Sequence, residues 1–282
     1  MAFKDILLAL TTYPRATAPP SVKFAVAFAE FMNCRITAFA ADVKIDVPRS
    51  VLGNALLDIS GLVAEEMRKS NVNSQSLISI FEDEAKRRGV PHETIHERCL
   101  IAQTHDLMAE DAKLKDLTII PMPVDDDFNR GHADTIVFQS GRPILILPEN
   151  LKQTDFILDT VAVAWDFSRA AARAVADAIP LLERAKAVRI VTVINDKEFD
   201  STRASSHQLA THLSQHGVTV SVDEVDAGGR AIGDVLEQFV AANKIDLIVM
   251  GAYGHSRFRD FIFGGATKSM LSNPPVPVFL SH

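Results

Sequence analysis

At 282 residues the chain has room for one large domain or two of about 140 residues each. Hydrophobic residues make up 47% and charged residues 23%, with no low-complexity run, which excludes a disordered or fibrous chain and leaves an ordinary globular one. The 36 acidic residues outnumber the 29 basic ones for a net charge of -7, which argues against nucleic acid as the main partner, because that role needs a basic face to displace counterions.

The opening "MAFKDILLAL" holds a short apolar run broken by Asp5, and no small-residue cleavage site follows it. No stretch approaches the roughly twenty apolar residues that cross a bilayer. A cytoplasmic location without membrane contact is the expectation. Cys34 and Cys99 stand in no CxxC or zinc spacing and read as buried thiols. The first strand is "KDILLAL" (4–10). Extra sequence follows at 44–73, where "VLGNALLDISGLVAEEMRKS" has the spacing of an inserted amphipathic helix, read as a lid, a dimer contact or extra packing. His92 and His96 lie on one face of a strand after Pro91 by period two, with Cys99 on the other. "KLKDLTIIP" (113–121) and "RPILILP" (142–148) are further strands. Between them Asp125, Asp126 and Asp127 form an acidic turn, read as solvated.

The second half is cleaner. "TVAVAW" (160–165) is a buried parallel strand, followed by Asp166 and Ser168 where a helix should be capped. The helical "RAAARAVADAIPLLERAKA" should be kinked by Pro180. Strand "VRIVTVI" (188–194), a helix closed by Gly217, strand "VTVSVDEV" (218–225), helix "RAIGDVLEQFVAAN", strand "DLIVMG" (246–251), short helix "ATKSMLSN" and strand "VPVFLS" (276–281) follow. Crossover sterics make this βαβαβαβαβ order a parallel, right-handed, doubly wound sheet. "KDILLAL", "KLKDLTIIP" and "RPILILP" repeat "LDTVAVAW", "NKIDLIVMG" and "VPVFLSH" at offsets of roughly 130 to 155 residues, which describes two whole domains, 1–150 and 156–282, joined through "PENLKQTDF".

The loop "MGAYGHSRFRDFIFGGATKSM" (250–270) leaves the carboxyl end of a strand, where doubly wound sheets bind ligands. Gly251 and Gly254 can take positive φ, and Gly264, Gly265 and Ala266 leave bare amides at a helix start, with Thr267 adding a hydroxyl. That arrangement suits phosphate oxygens, and equally it can serve only the geometry of a turn. The spacing fits neither GxxxxGK[ST] nor GxGxxG.

Together with the tandem βα units, the GxxGx9G spacing of Gly251, Gly254 and Gly264 resembles the universal stress protein family, in its tandem two-domain form. The resemblance implies two tandem flavodoxin-like (Rossmann-like, adenine nucleotide alpha hydrolase-like) α/β domains and a bound adenine nucleotide, ATP, with Mg2+ allowed beside it. It assigns Asp166 to the ribose, Val193 to the adenine edge, Gly251 and Gly254 to the phosphate loop, and Gly264, Gly265, Ala266 and Thr267 to the phosphate amides, with Ala164 and Met250 at the strand ends. No catalytic residue and no protein-held metal is expected from the residues themselves. The family pattern has Ser or Thr directly after the last glycine, where Gly265 stands here; the lost hydroxyl contact costs about 1 kcal/mol, several-fold in affinity. In the first half Pro121 replaces Gly251, Arg130 replaces Gly264, Thr11 or Thr12 replaces Asp166, and the loop is about four residues shorter, so one competent site is expected, in the second half.

His255, Arg257 and Arg259 are equally a phosphate-neutralising set and a polar loop. His207, His212 and His216 fit a helix face in solvent, and nothing resembles a catalytic triad. The leading expectation is a stress-response protein with a regulatory nucleotide. Slow ATP hydrolysis, without an identifiable base, and an interaction module with a vestigial site are the alternatives. The final strands "RPILILP" and "VPVFLSH" are expected to pair the domains within the chain, leaving a homodimer open.

Overall fold

The computed structural model describes residues 2–46, 59–123, 127–149, 151, 153–194, 205–252 and 265–282. Ten strands form a single sheet: β1 (Asp5–Leu10), β2 (Arg35–Lys44), β3 (His92–Leu100), β4 (Leu117–Met122), β5 (Ile144–Pro148), β6 (Thr160–Ala164), β7 (Ala187–Ile194), β8 (Val220–Asp226), β9 (Leu247–Gly251) and β10 (Val278–Ser281). Their order, β3-β2-β1-β4-β5-β10-β9-β6-β7-β8, is one five-strand pattern written twice in mirror sequence. Each half is parallel. The seam is antiparallel, with Val278 opposite Ile146, Phe279 opposite Leu145 and Leu280 opposite Ile144.

The central strands are buried on both faces, which is why they read as unbroken apolar runs. The edge strands β3 and β8 are mostly exposed or half-buried and carry Glu93, Glu97, Asp223 and Glu224, charges that discourage pairing with another chain.

Helices α1 (Pro19–Met32), α2 (Ile59–Arg88), α5 (Arg169–Leu182) and α6 (Ser206–Gln215) pack one face of the sheet through Phe28, Phe81, Leu181 and Leu213. Helices α3 (Thr104–Ala112), α4 (Asp127–Gln139), α7 (Ile232–Asn243) and α8 (Gly265–Ser272) pack the other through Met108, Ile136, Leu236 and Met270. Pro180 lies inside α5, two residues from its end. Gly217 closes α6 at φ 76°, the left-handed position expected of it.

The duplication also shows in hydrogen bonds. Asp116 Oδ2 accepts from the amides of Lys4 (2.8 Å) and Asp5 (3.1 Å), and Asp246 Oδ2 accepts from those of Asp159 (2.9 Å) and Thr160 (2.8 Å). In both halves the aspartate that opens the fourth strand satisfies orphan donors at the start of the first. Between the halves, Phe156 is buried among Phe24, Phe28 and Phe31, with ring centroids 5.6, 4.9 and 5.0 Å away. Arg184, just beyond α5, donates to the carbonyl of Phe31.

The inserted sequence is not a separate helix. No proline or glycine interrupts 62–88, so its described part, from Ile59, runs into the following residues as one 30-residue helix, α2, stopped by Gly89 at φ 67° and Pro91. Aligned on the closing glycines Gly89 and Gly217, the first residue of α6, Ser206, corresponds to Ile78. Residues 59–77 therefore have no helical counterpart among the described residues of the second half.

Candidate functional site

In the second half the strand order reverses between β6 and β9, whose next helices, α5 and α8, pack opposite faces of the sheet; such a switch point is where doubly wound sheets form a ligand crevice. Register fixes what stands at its mouth. Ala164 is opposite Met250 on one side and Val191 on the other, so Asp166, Val193 and Ala252 all fall two residues beyond that level. Ala164 and Val193 are half-buried, Met250 is buried, and Asp166 is exposed. Five of the residues assigned from sequence, Ala164, Asp166, Val193, Met250 and Gly251, thus converge on one end of the sheet.

Gly254 and Gly264 lie outside the described residues, as do His255, Arg257 and Arg259. Helix α8 opens at Gly265 and Ala266, and Thr267 is buried, 4% exposed, in its first turn.

Asp166 sits in a tight turn. Its Oδ1 accepts from the amide of Ser168 (2.9 Å), and Ser168 Oγ in turn accepts from the amide of Ala171 (3.0 Å), capping α5. Between them Phe167 has φ 63°. Trp165 Nε1 is buried and has no acceptor among the described residues.

Gly251 differs from its sequence expectation. Its φ is not positive, and the reason for glycine is steric: a Cβ there would lie 2.4 Å from Ala171 N, 2.5 Å from Ala170 C and 2.9 Å from Ala170 Cβ. The close approach it permits is to the first turn of α5. The end of β9 and the start of α5, each carrying one wall of the crevice, are locked together there.

The first half has the same switch point, between β1 and β4, but its mouth is filled by its own chain. Strand register puts Thr11 in the place of Asp166, and Thr12, one residue further on, donates from Oγ1 to the carbonyl of Ala41 (2.6 Å), while its hydroxyl also meets that of Ser70 (2.9 Å). Its carbonyl accepts from Asn73 Nδ2 (3.0 Å). Ser70 Oγ accepts from the amide of Val43 (3.1 Å). Alongside, Asp42 accepts from Asn71 Nδ2 (2.6 Å) and Ser74 Oγ (2.5 Å) and meets His96 Nε2 at 2.9 Å. Burial works against the Asp42 charge, yet the hydrogen bonds from Ser74, His96 and Asn71 hold its carboxyl below the usual range. Ser70 and Ser74 are fully buried. The added turns of α2 thus occupy the ends of β1 and β2, where the second half presents Asp166 and Val193.

His96, Ser74 and Asp42 meet in a triangle, but one ring nitrogen, Nε2, faces both oxygens, so the imidazole cannot relay a proton from serine to carboxylate. Among the described residues no cluster of three or more His, Cys, Asp or Glu side chains could hold a metal. His212 and His216 meet edge to face at 5.0 Å, and Cys34 and Cys99 are buried free thiols. No helix among the described residues is long and apolar enough to cross a membrane.

A doubly wound α/β sheet with Asp166 and Gly251 at one switch point belongs to the class of folds that bind ligands outside the carboxyl ends of their strands. Residues 158–282, in the second half of the chain, match the model of the universal stress protein family. The whole chain is similar to a universal stress protein from Archaeoglobus fulgidus, at 18% identity over 98% of this chain and 95% of that one, with a TM-score of 0.71. It is also similar to a protein of unknown function from Pseudomonas aeruginosa, at 13% identity over 99% of this chain and 92% of that one, with a TM-score of 0.56. At such identities the likeness is one of fold. No protein of curated function matches the chain.

Proposed function

We propose that this protein is a stress-response member of the universal stress protein family that binds one adenine nucleotide, ATP, at the β6–β9 switch point, and that occupancy of this site regulates rather than catalyses. The observation that carries the reading is the convergence fixed by strand register: Asp166, Val193 and Gly251 share one mouth, with the start of α8 in the chain just beyond the glycine loop. The residues suit the ligand. An exposed carboxylate accepts ribose hydroxyls, Val193 offers an apolar edge to the base, and amides at the start of an eight-residue helix face phosphate oxygens. Bound nucleotide would supply negative charge at that helix end, and Mg2+ would accompany its phosphates. The filled mouth of the first half supports a single site per chain. Two domains with one site, paired along β5 and β10, suit a protein in which one half reads the ligand and the other presents a surface to a partner.

The test is isothermal titration of the full chain with ATP after bound nucleotide has been stripped, paired with mass spectrometry of small molecules released on denaturation. Saturable binding is expected, weakened about tenfold or more by Asp166→Ala, since hydrogen bonds to a charged group contribute about 1.5–3 kcal/mol. No binding at millimolar ATP, with no nucleoside released, refutes the reading and leaves an interaction module with a vestigial site.

A further inference from the structure

Three described residues other than glycine have positive φ: Asn33 at 54°, Lys244 at 50° and Phe167 at 63°. Asn33 and Lys244 are helix C-caps, where the left-handed conformation closes the last turn. Phe167 stands before a helix, at the exit of β6, where no such cap is needed. For a bulky aromatic this backbone is strained, whereas glycine would adopt it freely. Among the described residues Phe167 is half-buried and joins neither hydrophobic cluster. Its ring meets Trp165 edge to face, with centroids 5.7 Å apart and planes at 64°. Trp165 is itself packed against the core.

The turn does something specific. With Phe167 left-handed, the Ser168 amide swings onto Asp166 Oδ1 while the Ser168 hydroxyl caps Ala171, and the backbone of Ala170 and Ala171 is pressed against Gly251. Trp165, Asp166, Phe167, Ser168 and Gly251 form one mechanical chain from the carboxylate on one lip of the crevice to the root of the glycine loop on the other. A glycine at 167 would permit the turn without fixing it, whereas a ring anchored on Trp165 fixes it. Strain that persists because its surroundings over-determine it, beside a ligand crevice, marks function.

We propose that Phe167 is a positioning residue, which clamps the 165–168 turn against Trp165 so that the Asp166 carboxylate is held at the crevice before a nucleotide arrives. The proposal rests on the nucleotide reading given above, and it makes its own prediction about the empty protein. In full-length chain, Phe167→Gly is expected to leave the melting temperature unchanged or raise it. The variant's Ser168 amide should exchange with solvent at least tenfold faster, its Kd for ATP should rise about tenfold, and the emission of Trp165, the single tryptophan, should change. Phe167→Tyr keeps the ring and should restore wild-type exchange and affinity. In a double-mutant cycle, Phe167→Gly should add nothing to the loss from Asp166→Ala, because both act through one carboxylate.

Unchanged amide exchange in Phe167→Gly overturns the clamp whether or not ATP binds. Unchanged ATP affinity, or a loss additive with that of Asp166→Ala, overturns the positioning role alone. Failure of the wild-type chain to bind ATP overturns the nucleotide reading and the positioning role with it.

Discussion

Replacing Gly251 by alanine tests the contact that joins the two lips of the crevice. The added Cβ would lie 2.4 Å from Ala171 N and 2.5 Å from Ala170 C, about 1 Å inside ordinary van der Waals separation. Neither opposing atom belongs to a side chain that can rotate away. Relief therefore requires the first turn of α5 and the end of β9 to part, although β9 is held between β6 and β10 and α5 is packed through Ala174, Ala178 and Leu181. Overpacking costs about 1–3 kcal/mol where side chains give way, and a clash of backbone on backbone belongs at about 3 kcal/mol. At about 2–4 °C per kcal/mol for a domain of this size, the melting temperature should fall by roughly 6–12 °C. The assay is thermal and urea unfolding of the nucleotide-free chain. The condition matters, because a glycine kept only for a ligand would leave the empty protein unaffected. A melting temperature within about 1 °C of wild type would refute the steric argument.

His132 is buried beside His105, ring centroids 4.1 Å apart, and burial, with the neighbouring imidazole second, holds its pKa well below the ordinary 6.5. It is neutral when folded, while the unfolded chain takes up a proton as pH drops through 6.5. Stability is therefore complete above that pH and declines below it, by up to about 1.4 kcal/mol per pH unit, until the folded pKa is reached. Urea midpoints at pH 7.5 and 5.5 should diverge for the wild type and draw together in His132→Asn; parallel profiles for the two proteins would rule this out. Phe156→Ala should destabilise the chain by about 3–5 kcal/mol, because it empties a site lined by Phe24, Phe28 and Phe31, while leaving ATP affinity unchanged. A loss below about 1 kcal/mol would mean that the linker does not hold the halves together.

The strands were legible because parallel strands buried on both faces need continuous apolar runs, and "TVAVA", "LIVMG" and "ILILP" supply them. The duplication was legible in "KLKDLTIIP" and "NKIDLIVMG" because Asp116 and Asp246 do the same work in each half. The place of the candidate site followed from topology, since the reversal of strand order alone brings Asp166 and Gly251 to one end of the sheet. The filling of the first half was not legible. Ser70 and Asn73 reach Thr12 across 58 and 61 residues, and no local pattern announces which way the added turns of α2 fold back. The steric reason for Gly251 was hidden in the same way, because Ala170 and Ala171 lie some eighty residues away in the chain. Phe167 escaped notice because glycine and asparagine signal a left-handed turn and phenylalanine does not. The sequence motif Asp-x-Ser at a strand exit was the one available hint, and it gave the helix cap without the turn.

The antiparallel seam of β5 and β10 has an evolutionary consequence. Two separate copies meeting along such an edge must be identical, so every mutation is suffered twice. Once a single gene encodes both partners, each can drift alone: here a lengthened helix covers the strand ends of one member, while the other carries an exposed aspartate at the same level. Covalent linkage turns a symmetric pair into two specialists at a permanent one-to-one ratio.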